Sequence, residues 1–200
     1  MIVDFIRFNA SDGVGLQGWL TNEPGDTAII HMHGMSGNGY ENKFLDNLRE
    51  VYSALGISFF TIDSRGRGII SHFSIKNTDG SIGTKPGGSC FEIFEESISD
   101  IQGTIDYLKT LGKKHFILQG HSLGGSKVVN YILNSNNEDV IGSILLAPTD
   151  MIGWTSMEEK NDEFQNRAVE LIAQGKLEDL VSAQCWLDNT PLSAQTYLSL

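Results

Sequence analysis

Apolar residues along this chain either alternate with polar ones or gather in short runs, and this pattern predicts strands and helices in regular succession. Two alternating stretches, 2–8 and 14–20, flank an Asp-Gly pair and predict an antiparallel hairpin. Later apolar runs are too short for helices and too continuous for half-exposed strands. They predict the buried strands of a parallel sheet, at 27–33, 57–62, 116–118 and 140–147.

Helical spacing of apolar residues separates these strands, most clearly at 42–55, at 94–111 and from residue 128 onward. Strand, helix and strand in succession form the parallel crossover unit, so the fold class is α/β with a mostly parallel, doubly wound sheet. Between two of these elements, residues 69–90 are rich in Gly, Ser, Thr, Asn and Lys and predict a long surface loop.

One turn between a strand and a helix carries candidate chemistry. The strand 116–118 stops at Gly120, and Ser122 follows two residues later, before the helical pattern begins. A serine on such a sharp turn leaves no room for side chains two residues before and after it, and Gly120 and Gly124 remove them. The Ser122 hydroxyl is therefore expected at the carboxyl end of a strand, beside a helix amino terminus that favours developing negative charge.

The run Gly120-His121-Ser122-Leu123-Gly124-Gly125 resembles the nucleophile elbow of the α/β-hydrolase family, and His33-Gly34-Met35 is similar to the family's oxyanion turn. The resemblance extends to Asp150 and implies an α/β-hydrolase fold with antiparallel amino-terminal strands. It also implies a serine hydrolase, similar to soluble carboxylesterases and acylglycerol lipases, that acts on a small acyl ester without cofactor or metal. Ser122 would be the nucleophile, and the backbone N–H groups of Met35 and Leu123 would stabilise the oxyanion.

The same resemblance divides the chain and assigns structural roles. Residues 1–153 would form the hydrolase core and residues 154–200 the start of a helical cap, because 157–180 is charged and helical in period, with no buried strand. In the family, His33 holds its loop, His121 points away from the site, and the Asp63–Gly68 signature ties loops together.

This sequence departs from the family at the catalytic triad, the set of nucleophile, acid and histidine. The family order is nucleophile, acid, histidine, but no histidine follows Ser122: the five present are His31, His33, His72, His115 and His121. Asp150, at the end of the next strand, is the candidate acid. We expect an amino-terminal part of a longer hydrolase, with the carboxyl-terminal strands missing. The alternatives are a non-catalytic protein that binds a small ligand, or a protein that uses His72 as an unorthodox base.

Charge and composition exclude several other functions. The net charge of −11 argues against a nucleic-acid surface, which needs clustered Lys and Arg. Charged residues in the first apolar run argue against a signal peptide, and no apolar run is long enough to span a membrane, so a cytoplasmic location is expected. Cys90 and Cys185 lack metal-ligand spacing and are interpreted as reduced thiols. Peptidase, thioesterase and acyltransferase members of the family share the same motifs, so the resemblance leaves these activities open beside that of an esterase.

Overall fold

A computed structural model describes residues 2–185 and 190–200 of the chain. The strands, in chain order, are β1 (Asp4–Asn9), β2 (Gly15–Thr21), β3 (Thr27–Met32), β4 (Ser58–Asp63), β5 (Ser71–Lys76), β6 (Ile82–Gly87), β7 (His115–His121), β8 (Val140–Leu146), β9 (Leu180–Cys185) and β10 (Thr190–Ser193). The helices are α1 (Lys43–Ala54), α2 (Ser97–Thr110), α3 (Leu123–Asn134), α4 (Met151–Met157), α5 (Asn161–Ala173) and α6 (Ala194–Ser199), and a short 3₁₀ helix, Phe94–Glu96, leads into α2.

Six strands form the main sheet in the order β1-β2-β4-β3-β7-β8. The first two strands pair antiparallel with each other, and β2 pairs antiparallel with β4, while β4, β3, β7 and β8 run parallel. The predicted amino-terminal hairpin and mostly parallel sheet are confirmed.

Neighbouring residues of the central strands point to opposite faces of the sheet, and both faces are covered by helices. Ile30 of β3 packs in the larger apolar cluster, which includes Ile105 of α2 and Val128 of α3. Ile29, the preceding residue, packs on the other face with Leu45 of α1. A strand buried on both faces has no polar alternation, which explains why the central strands read as continuous apolar runs.

The prediction of a long loop over 69–90 is wrong, because β5 and β6 form an antiparallel hairpin there. Only one side of this hairpin meets the core: Phe73 is buried, Ile75 packs against the same cluster, and Val14 forms a bridge to Ile75. The polar residues that suggested a loop lie on its exposed side and in its turn. A two-stranded ribbon with so few buried positions gives only a weak apolar signal.

The segment predicted to be a helical cap also contains strands. Helices α4 and α5 occupy its first part, but β9 and β10 then form an antiparallel hairpin before α6. Over 157–180 the prediction of helix without a buried strand agrees with α5, and β9 begins only at the last of these residues, Leu180; the hairpin that follows was not predicted. Phe164, Leu171, Leu192 and Tyr197 share a separate apolar cluster. Trp186, within the predicted cap, lies outside the described residues.

One edge of the main sheet presents apolar side chains to solvent. Strand β8 is the last in the order, and its Ile141 and Leu145 are 58% and 41% exposed. On α3, Ile132 and Leu133 are exposed as well. Among the described residues, no helix is both long and apolar enough to cross a bilayer.

Candidate active site

Three parallel strands end at the same edge of the sheet, and the turns that follow them form the candidate site. Met32 of β3 lies opposite Gly120 of β7, and Leu146 of β8 lies opposite His121. A ligand site at the carboxyl ends of parallel strands is typical of open α/β sheets. The turns after β3, β7 and β8 are therefore brought together by the register of the sheet alone.

The turn after β7 has the backbone geometry expected of a nucleophile elbow. Ser122 has φ 53° and ψ −127°, a conformation that residues with a side chain rarely adopt. A Cβ on Gly120 would lie 2.2 Å from the carbonyl oxygen of Gly124, and a Cβ on Gly124 would lie 2.2 Å from that of Met32. In both cases the nearest atoms belong to the backbone of a neighbouring segment, so glycine is required at both positions, for the reason predicted.

All three residues other than glycine with positive φ in the described chain follow these three strands. Ser36 follows β3 with φ 55°, Ser122 follows β7, and Ala147 follows β8 with φ 44°. Such conformations cost free energy and persist where the surrounding structure enforces them.

The Ser122 hydroxyl faces a cavity of about 230 Å³. Its side chain hydrogen-bonds the hydroxyl of Thr149 with an oxygen separation of 2.9 Å. The cavity is lined by Met35, Ser36, Ser122, Leu123, Thr149, Met151, Trp154 and Thr190. Four of these eight residues are apolar and four carry a hydroxyl, and the volume is below the usual range for ligand pockets, so the site has room for a small group with an apolar part.

The predicted oxyanion turn lies directly against the serine. A Cβ on Gly34 would approach the Ser122 Cβ to 2.9 Å, so only glycine allows this contact. The N–H of Gly37 donates to the carbonyl of Gly34 at 3.1 Å and closes a tight turn with Met35 and Ser36 at its centre. The structure thus brings Met35 and Leu123 to the cavity that holds Ser122.

His33 is buried and holds this turn in place, as predicted. Its Nδ1–H donates to the carbonyl of Gly34 at 2.7 Å, and its Nε2 accepts from the backbone N–H of Ser64 at 3.2 Å. Burial, together with the nearby Lys127 ammonium, lowers the pKa of His33 to about 3. The imidazole is therefore neutral and both its nitrogens are engaged, which leaves neither free to act as a base.

The other histidines also lie away from the Ser122 cavity. His31 is buried within β3 and accepts from Gln119 at 2.8 Å, and burial lowers its pKa to about 3. His121 packs against Phe44 of α1 with ring centres 5.4 Å apart and is not among the residues that line the Ser122 cavity. His115 is exposed at the opposite end of β7. His72 lines a different groove, beside Arg7 and Arg67, so nothing in the geometry favours it as the base.

Asp150 follows β8, the strand that pairs with the elbow strand β7, but its carboxylate caps a helix. Its Oδ1 accepts from the N–H of Gly153 at 2.9 Å at the start of α4, and the residue is exposed. The residue that touches Ser122 is its neighbour Thr149. The position of Asp150 thus brings it close to the site without placing it among the residues that line the cavity.

The Asp63–Gly68 signature ties loops together. Asp63 accepts from the N–H of Gly39 and from Arg67. Arg65 is buried and pairs with Asp100, Asp12 and Glu96. Burial alone would lower the pKa of Arg65, but the Asp100 carboxylate raises it above its ordinary value. These ion pairs fix the loop after β4, which lies beside the oxyanion turn.

Several residues of the site were not predicted from the sequence, namely Thr149, Met151, Trp154, Ser36 and Thr190. Thr149 had a usable signal, since it follows the strand beside the elbow strand. Met151 and Trp154 are three residues apart on α4 and reach the cavity from one helical face. No pattern identified Ser36 or Thr190. The described residues include no cluster of three or more His, Cys, Asp or Glu that could hold a metal ion.

A protein-family model described as "Protein of unknown function (DUF1749)" matches residues 88–200. The match covers more than half of the chain, including Ser122 and the turn after β8. The chain belongs to this family. The DUF1749 match begins after the hairpin β5–β6 and continues through the last helix. A search of curated proteins found no match to this chain.

Solved structures of α/β hydrolases and esterases share the fold of this DUF1749 chain. An esterase of Pyrococcus furiosus, Pf2001, superposes with a TM-score of 0.58 at 17% identity, over 86% of this chain and 57% of its own. The α/β hydrolase GrgF of Penicillium sp. gives 0.69 at 15% identity, over 100% and 72%. Est1E of Butyrivibrio proteoclasticus, solved with ferulic acid, gives 0.65 at 17%, over 96% and 69%. The chain thus spans little more than half the length of the Pyrococcus esterase.

Proposed function

We propose that this protein is a serine hydrolase that cleaves a small carboxylic ester through an acyl-enzyme on Ser122. The observation that carries the proposal is the elbow geometry: a serine at φ 53° whose hydroxyl opens onto a 230 Å³ cavity. A backbone conformation this unfavourable is a reason to infer a function for the residue that adopts it. The esterases and hydrolases that share the fold support the same class of reaction.

The reaction proceeds in two steps. Ser122 Oγ attacks the acyl carbonyl and loses its proton to a base, and the carbonyl oxygen becomes an oxyanion. The N–H groups of Met35 and Leu123 bind this oxyanion, the carbonyl re-forms, and the alcohol leaves with a proton. Water then attacks the acyl-enzyme in the same way and releases the acid. The apolar walls, Met35, Met151 and Trp154, would hold the acyl group.

The base is the component that the described residues do not supply. None of the five histidines lines the Ser122 cavity, so none of them is proposed as the base. Asp150 is kept as the proposed acid because it lies one residue beyond Thr149, which touches the nucleophile. Asp150→Asn retains the capping oxygen and removes the charge, so a large loss of activity in this variant would assign that role.

The test is covalent labelling of the full-length protein with a fluorophosphonate probe. We expect labelling on Ser122, loss of labelling and of ester hydrolysis in Ser122→Ala, and retention of both in Ser143→Ala. The control removes an exposed hydroxyl of β8 that is not among the residues that line the cavity. Ester hydrolysis that survives in Ser122→Ala would overturn the assignment.

A second candidate is a non-catalytic protein that binds a small apolar ligand in the same cavity. It is favoured by one contact: the hydroxyl that faces Ser122 belongs to Thr149, which cannot act as a base at neutral pH. This function predicts binding of a short fatty acid or aromatic acid, measured by calorimetry, with no fluorophosphonate labelling. Labelling at Ser122 would exclude it.

A further inference from the structure

The turn that carries the proposed oxyanion donor, the Met35 N–H, is contacted by the hydroxyl of Ser89, which has no part in the proposed function. Ser36, next to Met35, adopts φ 55°, at the third position of the Gly34–Gly37 turn, where glycine or asparagine usually stands. Its hydroxyl hydrogen-bonds that of Ser89 with an oxygen separation of 2.6 Å. Ser89 is 1% exposed. The strained residue therefore has a buried partner that comes from a distant part of the chain.

Ser89 itself is fixed by its own segment, Gly88–Glu92. The N–H of Gly88 donates to the carbonyl of Arg65 at 2.7 Å, and that of Ser89 donates to the carbonyl of Gly68 at 2.9 Å. The N–H of Gly68 in turn donates to the carbonyl of Gly37 at 3.2 Å. The segment and the oxyanion turn are thus tied to the same loop after β4, so Ser89 has little freedom to follow Ser36 if that residue relaxes.

The other end of the segment is anchored to the elbow helix. Glu92 forms an ion pair with Lys127 of α3, and both side chains are almost completely buried. A buried pair of this kind is costly to break from either side, so it fixes the segment relative to the helix that begins after Ser122. The segment Gly88–Glu92 therefore connects the oxyanion turn, which Ser89 contacts, to the helix that follows the nucleophile, which Glu92 contacts.

The geometry points to Ser89 as a positioning residue of the Ser122 site, which holds Ser36 in its left-handed conformation and so directs the Met35 N–H at the oxyanion. This inference rests on the proposed function. Without the Ser89 hydroxyl, Ser36 is free to return to negative φ. This rotates the Met35–Ser36 peptide and so shifts the preceding peptide of the turn, which carries the Met35 N–H. A donor that is displaced from the oxyanion no longer stabilises the transition state.

The same segment also contacts the carboxyl-terminal elements. The carbonyl of Cys90 accepts from the N–H of Ser193 at 2.9 Å and from the hydroxyl of Thr196 at 3.0 Å. Thr190, three residues before Ser193, lines the Ser122 cavity. The position of Ser89 is therefore set by contacts that include β10 and α6.

The test compares fluorophosphonate labelling rates of Ser122 in the full-length protein. Ser89→Ala and Ser36→Ala are each expected to lower the maximal labelling rate about tenfold or more, since loss of a whole oxyanion donor costs about 10²–10³. The probe concentration that gives half of that rate should not change, because ground-state binding is unaffected. The matched control is Ser97→Ala, which removes a buried hydroxyl that has no hydrogen-bond partner among the described residues.

A double variant separates positioning from simple loss of stability. Glycine adopts φ 55° without strain, so Ser36→Gly in the Ser89→Ala background should restore most of the lost rate. A merely structural role of Ser89 would give no such rescue. An unchanged rate in Ser89→Ala, or a loss that Ser36→Gly fails to restore, would overturn the inference while leaving the proposed function intact. A wild-type protein that does not label at all would instead overturn the proposed function, and this inference with it.

Discussion

The elbow after β7 and the strand β8 are neighbours in one sheet, but their surroundings differ sharply. At the elbow, an added Cβ on Gly120 or Gly124 would collide with backbone atoms, whereas on β8 an added Cβ on Gly142 would meet nothing within 4 Å. The elbow is enclosed by β3 and α3, while Ile141 of β8 is mostly exposed. Ser122 is nevertheless held from both sides: an added Cβ on Gly34 would lie 2.9 Å from its Cβ on the β3 side, and its N–H donates to the Leu146 carbonyl at 3.1 Å on the β8 side.

The largest expected difference between the two regions concerns their ion pairs. Lys127–Glu92 is buried under the elbow, whereas Lys109–Asp139, next to the start of β8, is 42% and 46% exposed. Lys127→Met leaves a buried carboxylate unpaired and should lower the free energy of unfolding by about 3–5 kcal/mol. Lys109→Met should cost less than about 1 kcal/mol. Urea unfolding at pH 7 measures both.

A further variant checks the cause of that difference. When Glu92→Leu is combined with Lys127→Met, neither charge of this pair remains to be buried alone, and much of the lost stability should return. Similar losses in Lys127→Met and Lys109→Met would show that burial does not distinguish the two pairs, and would break the comparison between the regions.

A pair of glycine variants tests the packing of the two regions directly. Gly124→Ala forces its Cβ to within 2.2 Å of the Met32 carbonyl oxygen, and should destabilise the protein by about 3 kcal/mol or more. Gly142→Ala has open space and should stay within about 1 kcal/mol of the parent, because alanine also loses less backbone entropy on folding. Thermal melts of the two proteins give the answer. Equal destabilisation would contradict a rigid elbow.

Acid should weaken the buried half of the sheet through its histidines. The pKa of His31 and that of His33 are about 3 when folded, below the ordinary 6.5, so the unfolded chain binds protons first. Their contribution to stability is complete above about pH 6.5 and is lost as the pH falls toward 3, by about 1.4 kcal/mol per pH unit for each histidine.

The measurement is the free energy of unfolding between pH 7 and pH 4. His31→Gln should reduce the slope of the free energy of unfolding against pH by the contribution of one of the two histidines. The matched control is His72→Gln, which removes an exposed imidazole. An equal change of slope in the two variants would contradict the explanation by burial.

The smallest effect on stability is expected on β8. Replacing Ile141 and Leu145 by lysine should change the free energy of unfolding by less than about 0.5 kcal/mol, because both positions lie at the exposed edge of the sheet. The same variant should reduce self-association of the 200-residue chain, since an apolar sheet edge is a surface for pairing. Light scattering measures this, and the control places lysine at the exposed Val51 and Leu55 of α1. If the β8 variant associates as strongly as the unmodified chain, this role of the edge is contradicted.

Much of the fold could be predicted because its central elements give strong local signals. Strands buried on two faces are continuous apolar runs, and the glycines of the elbow follow from backbone crowding at one turn. The hairpin β5–β6 escaped prediction because only residues such as Phe73 and Ile75 meet the core. The hairpin β9–β10 escaped because the alternation there is short and irregular in register.

The candidate site was predictable only where a single turn determines the chemistry. Ser122 and Gly34 belong to such turns. The contacts of Ser122 with Thr149 and of Ser36 with Ser89 join residues 27 and 53 positions apart, and only tertiary packing determines which hydroxyls meet. His33 is an intermediate case, since its structural role followed from the family resemblance but its hydrogen bond to Ser64 did not.

The three positive-φ residues after β3, β7 and β8 have a consequence for protein engineering. Each such conformation costs on the order of 1–3 kcal/mol, so this edge of the sheet reduces the tolerance of the whole fold to other destabilising mutations. Ala147, which offers the site no functional group in its side chain, is the position at which that tolerance can be regained. Glycine there would relieve its share of the strain and leave the chemistry of Ser122 in place, which makes Ala147→Gly a sound starting background for directed evolution of this site.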